Sequence, residues 1–179
     1  SRRSGMSRKP WLYPSQQLIA GALILLLAAA AATAAPITAQ RVIQADQEPQ
    51  NWLAHGRTYG EQRYSPLRQV NDGNVGQLGL AWSFATGTTR GLQATPIVVD
   101  GRMYTTAVWS VVHALDAKTG RELWRYDPEV PRAWGRYACC DAVNRGVALW
   151  QDALYFATLD GRLISLDART GKKRWEINT

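Results

Sequence analysis

One stretch of this chain occurs twice, and its spacing limits the folds that can hold it. Residues 104–124 read YTTAVWSVVHALDAKTGRELW, and residues 155–175 read YFATLDGRLISLDARTGKKRW. Tyr104 aligns with Tyr155, Leu115-Asp116 with Leu166-Asp167, Thr119-Gly120 with Thr170-Gly171, and Trp124 with Trp175. All of these pairs share one offset of 51 residues, without a gap. A constant period of this size marks a repeat architecture, in which each unit buries its apolar face only against a neighbour.

Each unit reads as a small antiparallel sheet. Residues 95–99 are a short apolar run with Pro96 near its start, where a missing ladder donor is tolerated. Asp100-Gly101 signals a hairpin turn, because Gly accepts positive φ without penalty. Residues 103–108 and 111–116 follow as the second and third strands, the third apolar enough to be buried on both faces. Residues 116–120 form a turn in which Asp116 can bond the backbone ahead of it. Residues 122–126 are the outer strand, anchored by Trp124. The second unit repeats this plan over 146–150, 154–158, 163–167 and 174–177. Four short strands per unit, tiled by repetition, predict an all-β fold, a β-propeller of four-stranded blades. A β-solenoid would show much shorter periods.

The chain falls into three parts by composition. Residues 1–39 are expected to hold upstream residues and a secretory signal peptide. Met6 is a plausible start, Arg8 and Lys9 form a basic segment, and residues 18–32 are an uncharged run of about fifteen residues. That run falls short of the ~20 residues a spanning helix needs. Ala32-Thr33-Ala34 and Ile37-Thr38-Ala39 offer cleavage spacing, and no Cys follows as a lipoprotein anchor. Export to the periplasm is the expectation, with the membrane involved only through the leader.

Residues 40–90 are expected to form an N-terminal arm. Within it 40–50 read as polar and mobile, 71–80 as a short helical turn capped by Asn71 or Asp72, and 80–84 as the outer strand that closes the ring. Residues 91–179 are the first blades. Four of the 21 basic residues precede residue 40 and every acidic residue follows it, leaving 17 basic against 14 acidic residues. That balance excludes a nucleic-acid-binding reading.

The only cysteines, Cys139 and Cys140, are adjacent and lie between the two repeats. In an oxidising compartment two cysteines pair or stay reactive. Neighbouring Cα atoms are about 3.8 Å apart, below the usual disulfide range of about 4.4–6.8 Å. The residues alone leave open a strained vicinal bond, free thiols, an intermolecular bridge, or bonds to cysteines elsewhere. His55 and His113 form no metal constellation; His113 reads as a packed imidazole. Asp116 and Asp167, repeated in each turn, read as structural carboxylates rather than an acid/base pair.

Asp-Ala-x-Thr-Gly-x-x-x-Trp, at 116–124 and 167–175, resembles the tryptophan-docking repeat of the pyrroloquinoline quinone (PQQ) dehydrogenases. Cys139-Cys140-Asp141-x-Val143-Asn144-Arg145-Gly146 resembles the segment of the PQQ alcohol dehydrogenases, of methanol/ethanol and quinohaemoprotein type, in which a vicinal disulfide lies flat against the quinone. Asn51-Trp52, Gly56-Arg57-Thr58-Tyr59 and the run 62–67 resemble the mature N-terminus of the same family. Structurally that string reads as an ordered arm wrapped on the propeller.

The resemblance implies a Cys139–Cys140 disulfide as a cofactor plate, with Arg145 at the polar edge of the tricarboxylate, where a planar guanidinium suits bidentate pairing. Gln93 stands where the family usually has Glu, so one carboxylate charge near the cofactor is lost. The implied reaction oxidises a primary alcohol to an aldehyde, with Ca²⁺ or a lanthanide bound and electrons passed to a cytochrome c. The Asp base, the metal ligands and any haem c attachment motif lie, in the family, beyond residue 179. The resemblance covers 50–179, the opening part of an eight-bladed domain, so the expectation is an N-terminal fragment with about two blades, inactive alone. Homodimerisation is left open. Two rivals are a non-catalytic periplasmic propeller used as an assembly scaffold, which would carry a lipoprotein Cys and lack the Cys-Cys-Asp segment, and a membrane-bound sugar dehydrogenase, which would need several spanning segments.

Overall fold

The structure is a computed structural model that describes residues 35–179. The expected signal peptide lies outside the described residues, apart from the cleavage spacing at Ile37-Thr38-Ala39. Eight strands form two four-stranded antiparallel sheets, each a meander in chain order. Blade one holds β1 (Ile97–Val99), β2 (Arg102–Thr106), β3 (Val112–Asp116) and β4 (Glu122–Tyr126). Blade two holds β5 (Ala148–Trp150), β6 (Ala153–Ala157), β7 (Arg162–Asp167) and β8 (Lys173–Asn178). The expected propeller blades are thus present, two in number. Among the described residues no helix is long and apolar enough to cross a membrane.

The repeat extends to a defect that the pattern of apolar residues did not reveal. The register of β3 on β4 shifts between Ala114 and Leu115, and that of β7 on β8 shifts between Ser165 and Leu166. In each case one extra residue, Leu123 or Arg174, enters the outer strand. A bulge of this kind bends the strand and re-aims its side chains. The next residue is the docking tryptophan, Trp124 or Trp175, which stacks at a tilt on Tyr104 or Tyr155 with ring centroids 5.9 Å apart in both blades.

Trp124 then reaches the following blade. Its indole Nε1–H donates to the Ala168 carbonyl at 3.1 Å, and its ring lies so close over Gly171 that a Cβ there would come within 2.7 Å. Trp82 repeats the contact one step earlier, donating to the Ala117 carbonyl at 3.3 Å and covering Gly120, where a Cβ would fall 2.4 Å away. Each docking removes on the order of 100 Å² of apolar surface from water, about 2–3 kcal/mol. Trp82 therefore occupies, against blade one, the place that Trp124 occupies against blade two. Residues 80–84 themselves have no ladder partner among the described residues.

The first stretch of the arm departs from its expectation. The polar stretch 40–50 is ordered as α1 (Ala39–Ile43) and a 3₁₀ turn (Ala45–Gln47), and it buries Val42 and Ala45. It is held at both ends. Ile37 makes a two-bonded antiparallel bridge to Gln151 at the β5–β6 turn, and Trp52 makes one to Val98 on β1. Charged residues that look solvated in sequence are paired: Arg41 with Glu48 and Asp100, at 2.7 and 2.6 Å, and Arg57 with Asp46 at 2.6 Å. The helical turn further on is confined to Val75–Gln77 and has no side-chain cap. Asn71 instead accepts from the Gly73 N–H at 2.9 Å, an Asx turn preceding it.

Candidate functional site

The second strand of blade one stops at Thr106, two residues earlier than its apolar run suggested, because the chain turns sharply. Trp109 and Ser110 both take left-handed backbone conformations, φ 61° and 62°. This costs on the order of 1 kcal/mol or more per residue, so surrounding contacts must hold it. They do: the Trp109 N–H donates to the Ala142 carbonyl at 2.8 Å, Ser110 Oγ accepts from Asn144 Nδ2 at 2.9 Å, and the Arg132 guanidinium lies 4.3 Å over the Trp109 ring. The corner thus grips the segment just after the cysteines.

Asn144 is the centre of that grip. Its amide donates to Ser110 Oγ and to the Ala157 carbonyl of β6 at 2.7 Å, while its Oδ1 accepts from the Gly146 N–H at 2.7 Å. Thr106 Oγ1 lies 3.0 Å from both the Asn144 and Gly146 carbonyls. The residues on either side of Arg145 are therefore fixed to both blades, and Arg145 projects to solvent between them. Its guanidinium donates to Gln93 Oε1 at 2.5 Å.

Cys139 and Cys140 are exposed, and their Sγ atoms lie 2.8 Å apart. No bond joins the two sulfurs here, and they face each other across the peptide that links their residues. The Cys140 thiol is pushed up, first by its hydrogen bond with Cys139 and then by repulsion between the two as thiolates; the nearby Arg145 charge opposes this. Arg145 thus sits close enough to act on the Cys140 sulfur. On the other side Asp141 pairs with Arg90, and its Oδ1 accepts from the Ala142 N–H at 2.7 Å. A surface cavity of about 230 Å³ opens beside this loop, walled by Arg90, Trp109, Arg125 and Arg132.

The structure therefore brings together the four residues named from sequence, Cys139, Cys140, Arg145 and Gln93. The sequence reading missed the ones that hold them: Asn144, Thr106, Ser110 and Trp109. Asn144 lay inside the quoted motif, and an Asn flanked by Arg and Gly between two strands is a recognisable backbone bracket. The role of Thr106 had no local signal. The turn carboxylates are structural, as read: Asp116 accepts from Thr119 N–H and Oγ1 at 2.9 and 2.8 Å, and Asp167 accepts from Thr170 at 2.8 and 2.7 Å. His113 is buried, paired with Glu122 at 2.7 Å and edge-on to Phe84. Among the described residues no three His, Cys, Asp or Glu side chains converge on a metal-sized site.

Residues 52–176 match the family model described as "PQQ: Glucose/ethanol/alcohol dehydrogenase, beta-propeller domain". The quinohemoprotein alcohol dehydrogenase ADH-IIG of Pseudomonas putida is 53% identical over 182 residues, covering 99% of this chain and 25% of that protein. Its solved structure superposes with a TM-score of 0.79 at 57% identity, over 82% of this chain and 21% of that one. The 1-butanol dehydrogenase (cytochrome c) of Thauera butanivorans is 57% identical over 128 residues, 72% of this chain and 18% of that protein. A europium-containing methanol dehydrogenase superposes with a TM-score of 0.72 at 40% identity, over 78% of this chain and 25% of that chain. The chain spans about a quarter or less of the length of these relatives.

Proposed function

We propose, from the premise that this chain belongs to the PQQ β-propeller family of glucose, ethanol and alcohol dehydrogenases, that it contributes an N-terminal arm and two blades to an exported quinone-dependent enzyme oxidising primary alcohols to aldehydes. The observation that carries the proposal is a loop clamped between the blades that holds two contacting sulfurs and Arg145, with Gln93 bonded to Arg145 from the segment before β1. The residues fit a planar tricarboxylate. Two adjacent sulfurs offer a polarisable surface for one ring face, and Arg145 offers paired N–H donors for a carboxylate. Bound PQQ would supply the two-electron acceptor for the alcohol.

The chain's own part is binding and orientation. Asn144 and Thr106 fix the backbone on both sides of Arg145, so its charge is presented at one place. Gln93 accepts one guanidinium N–H without neutralising it, which leaves the full positive charge for the ligand. In the exported protein the two thiols would lose two protons and pass two electrons to a disulfide oxidant of the periplasm, giving a Cys139–Cys140 vicinal disulfide that would hold the two sulfurs as one fixed surface for the cofactor.

The alcohol substrate, a Ca²⁺ or lanthanide ion, the transfer of electrons to cytochrome c and any haem c belong to this proposal. The names of the relatives support them: one is a quinohemoprotein, one names cytochrome c, and one contains europium. The base and the metal ligands are assigned to parts of the whole protein outside these residues. The alternative of a non-catalytic scaffold is less well supported, since the relatives described above are alcohol dehydrogenases.

Titration of the full-length apoprotein with PQQ tests the reading. Replacing both cysteines by Ala, or Arg145 by Ala, is expected to weaken binding at least tenfold; unchanged affinity in both variants would refute it. The isolated 179-residue chain is expected to show no PQQ-dependent alcohol oxidation, and measurable turnover would contradict the assignment of the chemistry elsewhere.

A further inference from the structure

The segment just after the expected leader is built into the body of the protein. Ile37 is 2% exposed and ranks among the largest fully buried side chains. It belongs to the same apolar cluster as Leu154, Ile164 and Leu166 of blade two. Its backbone N–H donates to the Gln151 carbonyl at 3.0 Å, and its carbonyl accepts from the Gln151 N–H at 2.7 Å. Thr38 caps α1 by accepting from the Arg41 N–H at 3.2 Å. Arg41, which grips Glu48 and Asp100, also donates to the Ala35 carbonyl at 2.6 Å. Ala35 and Pro36 are exposed, so Ile37 is the first anchored side chain among the described residues.

The sequence offers two places for removal of the leader, after Ala34 and after Ala39. Building on the export reading given above, we infer that cleavage falls at the Ala34–Ala35 bond, and that residues 35–38 remain as the first anchor of the arm. Peptidase preference and packing both favour that bond. Leader peptidases select small side chains one and three residues before the cut. Ala34 and Ala32 satisfy this, whereas a cut after Ala39 would put the bulky, β-branched Ile37 in the third position. A chain beginning at Gln40 would lack Ile37 and Thr38. It would leave an apolar void in the core, a Gln151 backbone without its two partners, and α1 without its cap.

The step itself is hydrolysis. Water adds across the Ala34–Ala35 amide, the leader departs with a carboxylate on Ala34, and the mature chain keeps an ammonium on Ala35. That new charge falls on Ala35, which is exposed, and no other reactant is required.

Intact mass and N-terminal sequencing of the full-length protein from the periplasmic fraction of a Gram-negative host test this. A first residue of Ala35 is expected. Exported protein beginning at Gln40 overturns the inference and leaves export standing; unprocessed protein retained in the cytoplasm overturns the export reading and the inference with it. Ala34→Leu is expected to cut processing at least tenfold, while Ala39→Leu, at an exposed position, leaves it unchanged; the reverse pattern overturns the assignment. A full-length protein made to start at Gln40 is expected to melt on the order of 5 °C below one starting at Ala35, and equal melting would remove the anchoring role.

Discussion

The turn that follows the third strand is built twice from the same residues, whereas the loop that carries the sulfurs is built once. In the turns, Asp116 and Asp167 bond forward to Thr119 and Thr170, and Gly120 and Gly171 lie under a tryptophan of the preceding unit. Their geometry is dictated by a neighbouring sheet, so the same side chains recur. The loop from Pro131 to Gly146 meets the sheets at its end, where Gly146 lies close to Phe156 and Thr106. It is exposed over most of its length and is held by a few directed hydrogen bonds from Asn144, Thr106 and the Trp109 corner. Packing specifies the frame, and polar brackets specify the site. Substitutions in the two regions should therefore fail in different ways.

The largest effect is expected in the frame. Gly171 combines φ +71° with a tryptophan ring 2.7 Å from where a Cβ would stand, whereas Gly101 has φ +77° and open space around it. Gly171→Ala should cost about 3 kcal/mol or more, from overpacking added to backbone strain. Gly101→Ala should cost only the strain, about 1 kcal/mol. Urea unfolding of the full-length protein measures both. Equal losses would mean that the tryptophan above Gly171 moves aside freely and that docking does not set the turn.

Asn144→Ala is the matching cut in the site. It removes two donors and one acceptor that bracket Arg145. The loss of stability should be about 2 kcal/mol, and the affinity of the full-length apoprotein for PQQ should fall at least tenfold. Thr106→Val removes one bracket and should do less of each. A stability loss with unchanged affinity would make Asn144 part of the frame and blur the contrast.

The same contrast explains what could be read from the sequence. The repeat, the strands, the turns and the docking tryptophans were legible because each is a periodic consequence of stacking. The bulges at Leu123 and Arg174 were not, since the outer strands are too short for one inserted residue, apolar in one blade and charged in the other, to break a visible alternation. Residues 40–50 read as mobile because Arg41, Asp46 and Glu48 look solvated until their partners, among them Arg57 and Asp100 on a distant hairpin, are known. In the candidate site, Cys139, Cys140, Arg145 and Gln93 came from a motif. Thr106 could not, because its role depends on two carbonyls nearly forty residues away.

A subtler difference lies inside the repeat. Arg174, the extra residue of the second bulge, donates to Asp167 at 2.9 Å and to Asp152 at 2.8 Å. Its counterpart in blade one is Leu123, so Asp116 lacks that partner. Burial works against the charge on Asp167, but the hydrogen bonds from Arg174 and Thr170 outweigh it and hold the carboxyl at about 2. This lies below the unfolded value of about 3.9, so the stabilisation is fully present above about pH 4 and is lost as the pH falls toward 2. After allowance for solvent screening it amounts to about 1 kcal/mol. Asp167→Asn should lower stability by that amount at neutral pH and converge with the unsubstituted protein near pH 2. Asp116→Asn should show a smaller pH-dependent loss. Urea midpoints of the full-length proteins between pH 2 and 7 decide it: identical curves for the two variants would show that the arginine admitted by the second bulge adds nothing to the shared turn.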